Sequence, residues 1–180
     1  MFKKFVIAVI TFFVIFAITV CAAEYSQNYM TKLGQLTQGW DQKSNKLAET
    51  IKSVKTGELT GKAVMENNFA DSPLNYPLFT GLKEDLQELL LLQLPDKKTK
   101  SLENADNIVT LREDSSWKQL HESVIEAGVY YFTAQKIVQK GFSSFDVKAL
   151  DAALKLLERG DRSYDFVQTL VTIEGKEEKE

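Results

Sequence analysis

The sequence contains one cysteine, one histidine and three prolines in 180 residues, and each shortage removes a class of protein. A lone cysteine cannot close an intramolecular disulfide, so a disulfide-stapled scaffold is excluded. The lone histidine, His121, is followed by Glu122, but Ile125 stands where a zinc-binding helix needs its second histidine. Lys118 stands where a ferritin-like site would need a glutamate three residues earlier. The haem-attachment pattern, the phosphate-cradling glycine loop and the Gly-x-Ser-x-Gly elbow are missing as well. Asp151 with Glu158, and Asp161 with Asp165, sit at helical spacings where acids ordinarily face solvent. The expectation is a non-enzyme with no catalytic, cofactor-binding or metal-ligating residues.

Positive charge is also in short supply. Twenty-two basic residues face 25 acidic ones, for a net charge of −3, which gives no basic footprint for nucleic acid. No repeat of fixed period is evident, and Val171-Thr172-Ile173 is a β-branched run too short to found a sheet.

What the sequence does have begins at its N-terminus. Lys3 and Lys4 precede an unbroken apolar run from Phe5 to Val20, then Cys21-Ala22-Ala23, with the first acid at Glu24. A basic start, an apolar middle and a small-residue end make a secretory signal, with Val20-Cys21-Ala22 or Cys21-Ala22-Ala23 supplying the cleavage positions. The rival is an uncleaved anchor, because Phe5 to Ala23 approaches the roughly 20 residues that span a bilayer. Either way the lysines stay inside and the chain after Glu24 is exported, to the periplasm or beyond. Lipidation at Cys21 is disfavoured by Val20, which is larger than the residue a lipoprotein signal places before its cysteine. The chain thus divides into a signal or anchor (1–23), a folded domain (24–174) and a charged tail (175–180).

The folded part is organised around Trp117 to Val138. Trp117, Leu120, Val124, Ala127, Tyr131, Ala134 and Val138 recur at alternating spacings of three and four, which lines one stripe of a helix. Ser116 with Gln119 reads as a capping box, and Gly141 as the left-handed end. Similar stripes predict a helix from Tyr25 to Val54 and another from Leu82 to Leu94, stopped by Pro95. The latter has a core stripe through Leu82, Leu86, Leu89 and Leu90, with Leu91, Leu92 and Leu94 outside it. Ser101 is expected to cap a helix through Leu111, and Ser143 one from Phe145 to Arg159. Gly160 should end that helix and Asp161 begin a last one. Residues 67–81 carry Pro73 and Pro77 with Phe69, Tyr76 and Phe79, an aromatic loop fit to cover the end of a bundle.

The predicted fold is all-α, a four-to-five-helix antiparallel bundle behind the signal or anchor. The predicted function is a non-enzymatic interaction or structural module of the cell envelope, working through a protein partner or self-association. The membrane enters only through an uncleaved N-terminal segment. The alternative is a small-molecule sensor or carrier with its pocket between helices. Candidate ligand or partner contacts are Trp40, Tyr76, Phe79, Leu91, Leu92, Trp117 and Tyr131.

Overall fold

The computed structural model describes residues 28–66, 81–103 and 107–175. The N-terminal stretch expected to be a signal or anchor, most of the proline-rich segment with Tyr76 and Phe79, and tail residues 176–180 lie outside the described residues. Among the described residues, no helix is long and apolar enough to cross a membrane.

The first helical stretch is broken where a continuous helix was expected. α1 covers residues 28–37 and α2 runs Trp40–Thr56, with Gly39 between them at φ 68°. That left-handed backbone is cheap for glycine and strained for other residues, so Gly39 redirects the chain. α2 ends at Gly57, also left-handed, and a short α3, Gly61–Glu66, follows. α4, Leu82–Leu91, stops a turn before the expected end. Leu92 is already extended, and Pro95 holds the residue before it away from helical backbone. Leu82, Leu86 and Leu89 are buried, but Leu90 is 64% exposed and so leaves the expected core stripe.

The segment after Ser101 is a hairpin, not a helix. β1 (Ser101–Glu103) pairs antiparallel with β2 (Asn107–Leu111), and β2 with β3 (Val171–Gly175), in the order β1-β2-β3. The burial pattern gives the reason. Leu102 is buried between two exposed neighbours, and Val109 and Leu111 alternate with less buried residues, a period of two. Ile108-Val109-Thr110 is β-branched throughout, which costs side-chain freedom in a helix and suits a pleated ladder. Val171-Thr172-Ile173, too short alone, gains a sheet by lying opposite Leu111, Thr110 and Val109. The fold is mostly helical, as expected, and adds a small three-stranded sheet that an all-α bundle lacks.

α5, Trp117–Ser144, is the central helix, and the whole stripe from Trp117 to Val138 is buried. Ser116 caps it, its Oγ accepting from the Gln119 N–H at 3.2 Å. Its left-handed end is Phe145 at φ 49°, not Gly141. Gly141 stays helical because Leu150 packs on it; a Cβ there would lie 2.6 Å from Leu150 Cδ2. α6, Val147–Leu170, is capped by Asp146 and runs without a break through Gly160 and Asp161. Gly160 is tolerated in mid-helix because the Tyr131 ring occupies the space a Cβ would need, at 2.5 Å.

Cross-contacts fix the directions. Gly141 meets Leu150, Tyr131 bonds Asp161 and Glu126 bonds Ser163, so α5 and α6 form an opposed hairpin. Lys55 pairs with Asp151 while Trp40 packs on Tyr164, so α2 also opposes α6. Leu86 packs where α5 presents Gly128, which has no side chain to keep the helices apart.

Candidate functional site

A concavity lies where α1, α5, α6 and the sheet meet. Met30, Leu33, Gly34 and Thr37 follow i, i+3, i+4, i+7 spacing and therefore present one face of α1 to it. α5 contributes Leu120 and Val124; α6 contributes Tyr164, Val167 and Gln168. The sheet supplies Val109, Val171, Thr172 and Ile173, with Arg112 just beyond β2. The volume is about 680 Å³, within the roughly 300–1,000 Å³ usual for small-molecule pockets.

The floor is apolar and dry in character. Leu33, Leu120, Val124, Val109 and Val171 are all buried. Thr37 spends its hydroxyl proton on the Leu33 carbonyl at 2.9 Å and receives the Tyr164 hydroxyl at 3.3 Å. The rim is polar and open, with Gln168, Thr172 and Arg112 exposed and Ile173 61% exposed. Arg112 is tied at the junction of α6 and β3. Its backbone N–H donates to the Leu170 carbonyl at 3.0 Å and its Nε to the Val171 carbonyl at 3.2 Å. Among the described residues no carboxylate lines the cleft, and none pairs with this guanidinium.

Trp40, Trp117 and Tyr131, singled out from the sequence, lie elsewhere, in the core. Trp40 stacks edge-on against Tyr131 at 5.7 Å, and Tyr131 donates to Asp161 at 2.8 Å. Burial, then that hydrogen bond and the negative charge of Asp161, pushes the Tyr131 hydroxyl far above its ordinary pKa. Trp117 donates its indole N–H to the Thr99 carbonyl at 2.8 Å and meets Tyr29 edge-on at 6.1 Å. Leu91 and Leu92 line a smaller surface groove of about 340 Å³ between α1 and the end of α4, beside Tyr29 and Lys32. Tyr76 and Phe79 lie outside the described residues.

His121 is buried, with its Nδ1 3.3 Å from the Tyr29 hydroxyl. Burial lowers its pKa below 6.5, against the opposing pull of a hydrogen bond to the Leu89 backbone and the charge of Glu122. It is therefore a neutral core residue at neutral pH. Among the described residues, no three His, Cys, Asp or Glu side chains gather as a metal site would require.

Sequence reasoning missed the cleft because its walls come from four separate segments. A signal existed in Met30, Gly34 and Thr37, a second helical stripe beside Tyr29, Leu33 and Leu36. Another was Arg112, one of three arginines among 22 basic residues. No protein-family model matches the sequence, and comparison with curated proteins and with solved structures gives no match.

Proposed function

We propose that the chain is a non-enzymatic binding module, exported or anchored by its N-terminal segment, which receives a small and largely apolar molecule in this cleft. One observation carries the reading: among the described residues a concavity of about 680 Å³ is lined mainly by apolar side chains from three helices and a sheet, with Met30 and Val167 half-buried and Ile173 exposed on it. A protein that only needed to be stable would fill such a space, since unfilled apolar surface forfeits packing energy. Gly34 borders open space on this wall, since a Cβ there would meet nothing within 4 Å, so a bulky side chain at this position can be accommodated and tests whether the cleft is used. The test is a thermal melt of the protein against a panel of small amphipathic compounds, with Gly34→Trp as the occluding variant. A ligand that binds only the folded state raises the melting temperature by mass action. The expected result is stabilisation of the native chain and none of Gly34→Trp; equal shifts in both would refute the cleft.

A protein-interaction reading has its own support. Leu90 and Leu91, adjacent on α4, are 64% and 85% exposed, an apolar pair that association would cover. A concentration-dependent oligomer by light scattering, dispersed by Leu91→Lys, would favour this surface.

A further inference from the structure

Resting on the cleft reading, the geometry points to a ligand class: we propose that the cleft takes an amphipathic anion, with an apolar chain on the floor and an acidic head group held by Arg112. Three observations converge. First, among the described residues Arg112 is the one formally charged side chain lining the cleft, and no carboxylate among them neutralises it. Second, its Nε is held by the Val171 carbonyl and its backbone N–H by the Leu170 carbonyl, which anchor the side chain where β2 leaves the sheet. The terminal guanidinium nitrogens keep the paired N–H donors that match a carboxylate or phosphate in two-point contact. Third, Gln168 and Thr172 lie on the same rim and can complete the head group's hydrogen bonds, while Thr37 and Tyr164 are already bonded to each other.

Charge explains the selectivity. The guanidinium at the mouth attracts an anion, although the chain as a whole carries a net charge of −3. A cationic amphiphile would meet the guanidinium as a like charge. A neutral one would use the floor but gain nothing from the rim. The accessible apolar lining contributed by Met30, Val167 and Ile173 sets no hydrogen-bonding demand on the chain, so discrimination falls on the head group.

The test compares three probes of equal chain length, octanoate, 1-octanol and octylammonium, titrated calorimetrically into the full chain as recovered from cells. Octanoate is expected to bind about tenfold or more tightly than the other two, the usual scale for a hydrogen-bonded charge pair. Arg112→Gln should reduce octanoate to the affinity of octanol and leave octanol unchanged. Equal binding of all three probes, abolished by Gly34→Trp, would keep the cleft and overturn the anionic head group. Loss of octanol along with octanoate in Arg112→Gln would make Arg112 a strut of the wall and overturn it too. Failure of every probe, or indifference to Gly34→Trp, would remove the cleft reading itself and this inference with it.

Discussion

Replacing Gly128 by alanine sets two effects of opposite sign against each other, and the structure decides between them. Glycine in the middle of a helix costs about 1 kcal/mol relative to alanine, through backbone entropy in the unfolded chain. That gain is available at Gly34, in α1, and at Gly128, in α5. At Gly34 the added methyl meets nothing within 4 Å, so the gain stands alone. At Gly128 the methyl would lie 2.5 Å from Leu86 Cδ2 and 2.8 Å from Trp40 Cη2. The leucine tip can turn aside. The indole cannot, since Trp40 is buried and packed against both Tyr131 and Tyr164. Overpacking of this kind costs about 1–3 kcal/mol. Gly34→Ala should therefore stabilise by about 0.5–1 kcal/mol, while Gly128→Ala should lose up to about 2 kcal/mol net. Gly160→Ala should follow Gly128→Ala, because the Tyr131 ring that blocks it is fixed by its bond to Asp161. Urea denaturation at constant slope separates the variants, since a changed midpoint with an unchanged m reports stability alone. If Gly128→Ala proves as stable as Gly34→Ala, the close approach of α4 and α2 to α5 is wrong.

Acid should weaken the fold through His121. Its folded pKa is depressed below 6.5, so the unfolded chain takes the proton first; its contribution is complete above about pH 6.5 and is lost as pH falls from there toward the folded value. Melting followed between pH 7.5 and 5.5 should show this decline, and His121→Gln should flatten it. Helix caps give a second check: Ser116→Ala and Asp146→Ala each remove an acceptor from the first turn of a long helix and should cost about 1 kcal/mol apiece. A loss confined to one of them would mean that the other helix end is held by tertiary packing.

Where the sequence was readable, a strong local pattern agreed with the tertiary environment. The stripe from Trp117 to Val138 is buried along its whole length, and Ser116 caps it as the capping pattern required. The errors came where local cues were ambiguous or overridden. Leu102, Ile108, Val109 and Leu111 fit a helical stripe, but Leu102 pairs with Val109 across a hairpin, and Ile108, Val109 and Leu111 pair with Glu174, Ile173 and Val171 about 60 positions away, contacts that a local pattern does not reveal. Gly160 and Gly141 looked like helix ends and are contact points, because Tyr131 and Leu150 press where their side chains would be. Leu90 was assigned to the core by spacing alone and faces outward. The cleft was the least legible feature, as its lining is spread over four separate stretches of the chain.

Packing accounts for every glycine inside the two long helices, and that makes Gly34 the exception that bears on function. Gly128, Gly141 and Gly160 each sit where a neighbour would collide with a Cβ. Their propensity cost is offset by close approach of the helices. Gly34 has a helical backbone, no neighbour above it and a place on the wall of the cleft. It weakens α1 by about 1 kcal/mol and gains no contact in return. A larger side chain there would improve the helix and cover the apolar floor at once. On the cleft reading the two demands oppose each other: stability favours filling position 34, and entry to the cleft favours leaving it empty. The variant that makes the protein more stable, Gly34→Trp, is thus expected to be the one that cannot bind.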